Sequence, residues 1–152
     1  MVVIGFGSNL GDRHSAIRQA AGKVAALFTS FKLSSIIETQ PVGDGLENDP
    51  PCLNAVGVGE STWPVRELFA ALQAIEAAAG RTRSHAGAPR TLDLDLILAG
   101  ELIVDEPGLQ LPHPRFRDRR FVLEPLAEIE PDLRDPVTGL TIEALLKKLP
   151  LL

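Results

Sequence analysis

The segment Leu92-Asp93-Leu94-Asp95-Leu96 alternates strictly between leucine and aspartate. A two-residue period is typical of a β-strand whose two faces meet different surroundings. Strands are depleted in Asp, and like charges on one face repel each other. The segment therefore requires a fold that buries the leucine face in a core and gives the aspartate face a stabilising partner.

The two aspartates are candidate metal ligands. Residues two apart on a strand share a face and lie about 6.6 Å apart, so Asp93 and Asp95 project together. Magnesium accepts one or two carboxylates and takes its other ligands from water and phosphate oxygens. Two metals about 3.5–4 Å apart are typical of phosphoryl-transfer sites. The alternative is that both side chains simply face solvent, and so short a pattern leaves it open.

Arginine is concentrated around this strand. Seven of the chain's fifteen basic residues, all arginines, lie between positions 81 and 120, with six of its twenty acidic residues. They form two groups, one before the strand and one well after it: Arg81, Arg83 and Arg90, then Arg115, Arg117, Arg119 and Arg120. Guanidinium groups bind phosphate bidentately, so the pattern predicts a clamp for a polyphosphate. The alternative is surface arginines paired with nearby acids such as Asp118 and Glu124.

Two further polar residues are candidates for the same site. His113, between Pro112 and Pro114, lies in a rigid turn and could hydrogen-bond or protonate a phosphate oxygen, although a structural role in the turn is the alternative. Asn54 opens a strand beside a long loop. Its amide offers both a donor and an acceptor, as recognition of a heterocycle edge requires, and turn capping is the alternative.

Composition limits the classes of function. With 152 residues, of which 45% are hydrophobic and 23% charged, the chain fits one domain over residues 1–152. The net charge of -5 argues against a general nucleic-acid binder. The single cysteine, Cys52, excludes an intrachain disulfide and fits a reducing compartment. The N-terminal apolar run breaks at Gly7-Ser8-Asn9, so we expect no signal peptide or membrane span and predict a cytoplasmic protein.

The first hundred residues predict a β-α-β-β-α-β order. We expect strands over residues 2–6, about 31–38, 53–60 and 91–98, and helices over 12–28, capped by Ser8 or Asn9, and from 64 to about 79. This is the split βαβ order of ferredoxin-like α+β folds. Ala99-Gly100 then predicts a turn into a short strand over 101–104, which forms a hairpin with the Asp strand. Helical segments follow over about 119–129 and 142–149.

Several common motifs are missing from the chain. GFGSNLGD is not a dinucleotide fingerprint, because Leu10 occupies the position that requires glycine. The sequence also lacks the Walker A, CxxC, HExxH and GxSxG patterns. Metal hydrolase and serine hydrolase functions therefore have no support.

Three motifs together resemble a known family: GSNLGDR, RTLDLDLIL and LPHPR…RFVLEPLAEI. Their order over essentially the whole chain is similar to that of 6-hydroxymethyl-7,8-dihydropterin pyrophosphokinase, an enzyme of folate biosynthesis. The resemblance implies a ferredoxin-like α+β sandwich with a C-terminal hairpin and helices. It also implies a magnesium-dependent transferase that moves the terminal pyrophosphoryl group of ATP to the pterin hydroxymethyl oxygen and releases AMP.

The resemblance further implies roles for individual residues. Asp93 and Asp95 match the pair that binds two magnesium ions, and they are the expected catalytic residues together with Arg81 and Arg90. Positions around ATP are matched by Gln73, Glu76, Arg81, Arg83, Arg90, His113 and Arg119. The pterin pocket is matched by Thr39, Val42, Asn54, which would read polar edges, and Phe121, which would stack on the ring. The expected partners are these two small molecules, and the expected state is a monomer.

The chain departs from the family pattern at three places. Gln40 stands where a proline is common, Cys52 where an aromatic is common, and Gly87-Ala88-Pro89 where Trp-Gly-Pro is expected. The last of these loops closes over the substrates in the family. Stacking of a base on an aromatic side chain contributes about 1–3 kcal/mol, so we expect weaker retention of the pterin and an unaltered metal pair.

The primary hypothesis is in-line attack of the pterin hydroxyl on the β-phosphorus of ATP, with AMP as the leaving group. A ferredoxin-like regulatory module that binds a nucleotide or another anion is the main rival. It accounts for the arginines, but an Asp pair facing them would weaken anion binding unless metal were present. A metal-dependent nuclease is disfavoured by the net charge and by the lack of an aromatic–basic run.

Overall fold

The computed structural model describes residues 1–9, 11–39, 51–79 and 92–150. The chain order is β1 (Val2–Ser8), α1 (Arg13–Ala25), β2 (Ser30–Leu33), β3 (Ile37–Thr39), β4 (Cys52–Glu60), α2 (Val65–Ala79), β5 (Asp93–Ala99), β6 (Val104–Glu106), β7 (Leu109–Leu111), a 3-10 turn (Phe116–Asp118), α3 (Arg120–Ile129) and α4 (Ile142–Lys148). Among the helices described, none has the length and apolar character needed to cross a membrane.

The main sheet is antiparallel and has the order β2-β4-β1-β5, with β3 also paired to β4. The predicted strand over residues 31–38 is thus two short strands on one edge of β4. Ser34 separates them, because its hydroxyl, and not its carbonyl, accepts the hydrogen bond from the Val56 N–H at 2.9 Å. With β2 and β3 counted as one interrupted strand, the order is that of a ferredoxin-like fold. The predicted fold class is confirmed.

The first helix begins within one residue of its predicted start and ends three residues before its predicted end, but its predicted cap is wrong. Its N-cap is Asp12, whose carboxylate accepts from the Ser15 N–H at 3.1 Å, and not Ser8 or Asn9. Gly11 has a φ of +72°, so the chain turns there before the helix can start. Ser8 instead completes β1.

One face of the sheet is covered by α1 and α2. Their apolar stripes pack on the strands to form the first hydrophobic core, which includes Ile17, Val24, Leu68 and Leu72. Leu92, Leu94 and Leu96 belong to this core, as the alternating pattern predicts. The leucine face of β5 is therefore buried under the two helices.

The opposite face is covered by α3 and α4. Their buried side chains and the 3-10 turn pack on Val3, Val56, Val58, Ile97 and Leu98 to form a second core. Ile97 and Leu98 both reach this face because β5 carries a bulge: Ile4 pairs with Leu96 and Val3 with Leu98, which leaves Ile97 without a partner in β1. The C-terminal helices thus form a third layer and make a two-sided core.

The predicted hairpin between the Asp strand and residues 101–104 is wrong. Gly100, with φ +59°, and the hydrogen bond from the Leu102 N–H to the Ala99 carbonyl turn the chain, but residues 101–103 form no strand. The hairpin lies further along, where β6 pairs with β7 around Gly108 at φ +85°. It stands beside the main sheet and not within it.

Candidate active site

The polar end of the sheet lies on the face that α3 and α4 cover elsewhere. Ile37, Asn54, Gly7 and Asp93 are direct partners across β3, β4, β1 and β5. Since neighbouring strands are about 4.8 Å apart, the backbones of Asn54 and Asp93 are separated by about 10 Å, with only Gly7 between them. This end of the sheet therefore forms a gap, here called the polar gap. Its floor is the backbone of Gly7, and its walls are polar side chains.

Asp93 and Asp95 lie on this face at the start of β5. Both are half-buried, and they pair with Gly7 and Gly5, which carry no side chain of their own. On the other side of the strand, the Leu94 N–H donates to Glu76 Oε2 at 2.8 Å. β5 is an edge strand of the described sheet, so its outer N–H groups have no neighbouring strand there to bond to. The Glu76 carboxylate of α2 supplies the acceptor for one of them.

The other wall of the gap is formed by Thr39, Cys52 and Asn54. The Asn54 amide donates to Thr39 Oγ1 at 2.8 Å and is only 6% exposed. A Cβ on Gly7 would lie 3.3 Å from Asn54 Oδ1, so the amide oxygen leans over the glycine floor. Burial raises the pKa of the Cys52 thiol, which keeps it protonated at neutral pH. This wall presents a fixed amide and two neutral side chains.

Arg119 connects the acidic pair with the start of α3. Its Nη1 lies 3.8 Å from Asp95 Oδ2, and its guanidinium carbon lies 5.4 Å from the centre of the Phe121 ring. The ring itself is half-buried at the edge of the second core. One cation is thereby in reach of an aromatic face and a carboxylate.

His113 is fixed by its backbone and by its ring. Its backbone N–H donates to the Ile97 carbonyl at 2.8 Å, and its ring Nδ1 accepts from the Arg115 backbone N–H at 3.2 Å. Burial and the charges of Arg119 and Arg115 lower the pKa of His113, against an opposing effect of Asp93. The neutral ring, with Nδ1 engaged as an acceptor, carries its proton on Nε2 and is a hydrogen-bond donor.

A cavity of about 630 Å³ opens along the free edge of β5. Its walls come from β5, α2, the His113 turn and the β6–β7 hairpin, and they include Asp95, His113, Phe69, Leu96, Leu109 and Gln110. The hairpin carries two carboxylates into this wall: Glu106 is paired with Arg66 of α2, and Asp105 accepts from the Gln110 amide at 3.1 Å. These hairpin residues were not among the predicted site residues, because the sequence predicted a hairpin between the Asp strand and residues 101–104.

The second arginine group is less uniform than the sequence suggests. Arg117 forms a two-pronged ion pair with the fully buried Asp135, at 2.5 and 2.9 Å, and stacks on Phe116. Arg120 lies 3.9 Å from Glu124 and donates to the Pro150 carbonyl. Of this group, Arg119 is therefore the member that approaches the Asp pair, while Arg117 and Arg120 stabilise the C-terminal layer.

The remaining predicted residues divide into two sets. Gln73 is exposed on α2, one turn beyond the cavity residue Phe69. Glu76, three residues later, holds the Leu94 N–H, so its carboxylate stabilises the strand that carries the Asp pair. Arg81, Arg83, Arg90 and Val42 lie outside the described residues, as do Gln40 and Gly87.

The carboxylates suit a metal that the protein shares with a bound substrate. Within the described ranges, no three or more His, Cys, Asp or Glu side chains are grouped as a metal site. A two-carboxylate site does not meet the four-ligand requirement of structural zinc. It does fit magnesium, which retains waters and takes further oxygens from phosphates.

The fold and the site together define a class. An antiparallel α+β sheet presents an acidic pair between an edge cavity and a polar gap. The chain belongs to the 7,8-dihydro-6-hydroxymethylpterin-pyrophosphokinase (HPPK) family, whose model matches residues 3–131. Enzymes of this family transfer a pyrophosphoryl group to hydroxymethyldihydropterin in folate biosynthesis, and the resemblance seen in the three motifs is confirmed.

Named relatives agree with this assignment. The chain is 45% identical over 129 residues to a 2-amino-4-hydroxy-6-hydroxymethyldihydropteridine pyrophosphokinase of Bacillus subtilis, which covers 83% of the chain and 75% of that protein. A protein of the same name from Pseudomonas aeruginosa is 37% identical over 137 residues, 89% of the chain and 83% of that protein. The chain is also 36% identical over 149 residues to the folic acid synthesis protein fol1 of Pneumocystis carinii, and it spans 20% of the length of that protein.

Solved structures support the fold. A crystal structure of Plasmodium falciparum HPPK-DHPS has a TM-score of 0.72 over 97% of the chain and 42% of that protein, at 12% sequence identity. At this identity the similarity speaks for the fold alone. It matches the ferredoxin-like architecture with its added C-terminal layer.

Proposed function

We propose that residues 1–152 form a single pyrophosphokinase domain that transfers the β,γ-pyrophosphoryl group of ATP to the hydroxymethyl oxygen of 6-hydroxymethyl-7,8-dihydropterin and releases AMP. The observation that carries this proposal is the position of the Asp pair. Asp95 lines the edge cavity, and Asp93 pairs with Gly7 in the floor of the polar gap. A group bound between the two compartments would touch both carboxylates.

The proposed metal is magnesium, held by Asp93 and Asp95. Their donor chemistry fits it, since both present hard oxygens on one strand face and leave the other coordination positions to water and phosphate. When bound, magnesium supplies positive charge that neutralises phosphate oxygens during transfer. Arg119 lies 3.8 Å from the Asp95 carboxylate, so it helps to orient that carboxylate. The expected number of ions, two, follows from the family pattern.

The proposed nucleotide site is the edge cavity. Its volume of about 630 Å³ lies in the usual range for a small-molecule site. Phe69, Leu96 and Leu109 offer apolar contacts for a base, and His113 offers an Nε2–H donor to a phosphate oxygen. Gln73 and Glu76 on α2, Arg119, and Arg81, Arg83 and Arg90 from the preceding loop complete the proposed contacts with ATP.

The proposed acceptor site is the polar gap, whose floor is Gly7. A flat heterocycle approaches a backbone floor more closely than it could approach one with side chains. Thr39 and Asn54 form the polar wall, and the Asn54 amide is held in one orientation by its bond to Thr39. Phe121 supplies a ring for stacking, and Val42 completes the proposed pocket.

The proposed chemistry depends on position and charge. The acceptor hydroxyl attacks the β-phosphorus in line with the departing AMP oxygen, and its proton passes to solvent or to a phosphate oxygen. Arg81, Arg90 and Arg119 neutralise charge on the phosphates, and His113 donates one hydrogen bond to them. Fixed charges and fixed orientation contribute several kcal/mol each to such a transfer. No strong base in the chain is required.

The proposal extends to the state of the protein. A cytoplasmic monomer is the proposed state, and a single free cysteine fits a reducing compartment such as the cytoplasm. The net charge of -5 favours small anionic substrates over nucleic acid as partners.

One assay tests the function. The protein is incubated with ATP, magnesium and 6-hydroxymethyl-7,8-dihydropterin, and AMP is measured. AMP that forms only when the pterin is present supports the transfer. ATP binding that is independent of magnesium, together with no pterin-dependent AMP, would support a regulatory module instead.

A further inference from the structure

Arg13, in the first turn of α1, reaches across to the strands that carry the proposed acceptor site. Its Nη1 donates to the Pro51 carbonyl at 2.6 Å, and its Nη2 lies 3.9 Å from Glu38 Oε2. Pro51 immediately precedes Cys52, and Glu38 immediately precedes Thr39. One guanidinium group therefore contacts β3 and the residue that leads into β4, each time one residue before a member of the acceptor wall, which is formed by Thr39, Cys52 and Asn54.

The anchor for this contact is rigid. Asp12 caps α1 through the Ser15 N–H, and Ile17 on the next turn is fully buried in the first core. The Arg13 side chain is 27% exposed and extends from the capped first turn of α1. A donor on α1 thus meets Glu38, the middle residue of β3, and Pro51, the residue before β4.

The pairing of β3 with β4 that Arg13 meets is short in the described part of the chain. β3 has three residues, and Thr39 and Cys52 are the last pair of its ladder with β4. The hydrogen bond from Asn54 to Thr39 crosses the same two strands and fixes the amide over Gly7. A change in the separation of β3 and β4 would therefore turn the Asn54 amide.

We propose that Arg13 is a positioning residue for the acceptor site, which fixes the spacing of β3 and β4 and through them the orientation of Asn54. The inference rests on the proposed function, because it takes the polar gap as the acceptor pocket. A guanidinium group suits this role because its planar fork donates in two directions at once, whereas a lysine ammonium is a point charge. Its hydrogen bond and its ion pair in the described part of the chain go to Pro51 and Glu38, and not to Thr39, Cys52 or Asn54 themselves.

The kinetic test compares Arg13→Ala with Arg18→Ala, an exposed arginine on the same helix. Loss of a hydrogen bond from a charged group should raise the KM for the pterin about tenfold. The KM for ATP and kcat should stay within about twofold of the wild type. Arg18→Ala should match the wild type in all three values. A uniform loss of kcat without a change in the pterin KM would overturn the proposal.

A binding test uses Cys52, the chain's only cysteine, as a reporter inside the acceptor wall. The rate of thiol alkylation is measured at rising pterin concentration with magnesium and α,β-methylene-ATP, which cannot release AMP. The pterin concentration that halves the rate should rise about tenfold in Arg13→Ala. Rates are normalised within each variant, since the charge of Arg13 also lowers the pKa of Cys52 against the larger effect of burial.

The outcomes separate the two proposals. Wild-type protein that forms no pterin-dependent AMP would refute the proposed function. Active wild type with unchanged pterin KM and unchanged half-protection in Arg13→Ala would refute the role of Arg13 alone. If Arg13→Ala loses its helical circular dichroism, Arg13→Lys decides: it retains the charge but not the fork, and an unchanged pterin KM in that variant overturns the proposal.

Discussion

At the scale of single residues, the surroundings of His113 select its chemical form. Its Nδ1 accepts a backbone hydrogen bond, while burial, Arg119 and Arg115 disfavour the imidazolium. A neutral ring with a proton on Nε2 can donate a hydrogen bond to an acceptor such as a phosphate oxygen, but unlike an imidazolium it is too weak an acid to transfer that proton. The sequence alone left hydrogen bonding, protonation and a structural role open, since neither the Arg115 N–H nor the burial of the ring can be read from a Pro-His-Pro turn.

The tautomer of His113 can be measured. In the metal-free and ligand-free protein, nitrogen-detected NMR should show the Nε2–H form, and the His113 pKa should lie below the ordinary value of about 6.5. Because the folded protein favours the neutral ring, this group should reduce stability as pH falls through about 6.5, and not as pH rises. An Nδ1–H tautomer or a midpoint above 6.5 would contradict this.

Asp95→Asn should abolish pterin-dependent AMP formation and leave the fold intact. The amide is nearly isosteric but lacks the charge that a magnesium site requires, so a loss of at least about a thousandfold in kcat is expected. Asp132→Asn, at an exposed position, is the matched control and should retain full activity. Near-normal AMP production by Asp95→Asn would remove the metal assignment.

At the scale of elements, the strands pack so closely that glycine is required at specific positions. A Cβ on Gly59 of β4 would overlap the Ser30 carbonyl oxygen of β2 and the Phe28 ring, and one on Gly57 would overlap the Phe31 ring. Gly22, in the middle of α1, has open space around it. The two kinds of glycine look alike in the sequence and differ only in their neighbours.

Gly59→Ala and Gly22→Ala should therefore shift stability in opposite directions. Gly59→Ala forces backbone apart and should reduce the free energy of unfolding by about 1–3 kcal/mol. Gly22→Ala removes the entropic cost of glycine in a helix and should increase it by about 0.5–1 kcal/mol. Urea denaturation of both variants measures this. A stabilised Gly59→Ala would show that β2 does not lie against β4 as described.

The predictability of the elements follows from whether their signals are local. The Leu–Asp alternation and the two helix stripes depend on residues a few positions apart, and they were found from the sequence. The interruption at Ser34, the N-cap at Asp12 and the β6–β7 hairpin depend on hydrogen bonds to distant strands or on positive φ at one glycine of several. The cavity wall built by that hairpin was missed for the same reason.

At the scale of the whole molecule, the C-terminal layer is held by a buried ion pair. Burial would raise the pKa of Asp135, but hydrogen bonds from Arg117, the Val137 N–H and the Thr138 hydroxyl outweigh it and lower the pKa from 3.8 to about 2. The carboxylate joins the 3-10 turn before α3 to the connection that leads into α4. One charge thus links two segments of a layer that the second hydrophobic core packs onto the sheet.

This ion pair predicts the response of the whole protein to acid. A carboxyl whose pKa is lower in the folded state stabilises above its unfolded value of about 3.9, and that stability is lost as pH falls towards about 2. Asp135→Asn should cost roughly 2 kcal/mol in free energy of unfolding at pH 7, and the difference from wild type should shrink below pH 4. Asp132→Asn should show no such effect. An undiminished difference at pH 2 would refute the assignment.

The bulge in β5 has a consequence for how the chain can change over evolution. Ile97 has no partner in β1, yet its carbonyl holds the backbone of His113. Loss of a residue between Asp93 and Leu96 would turn one carboxylate towards the first core, under α1 and α2. Loss of Ile97 would instead leave a regular strand with both carboxylates on their present face. Such a deletion would spare the acidic pair and displace the histidine. Drift in length at this one position would thus separate the proposed metal ligands from the proposed phosphate ligand.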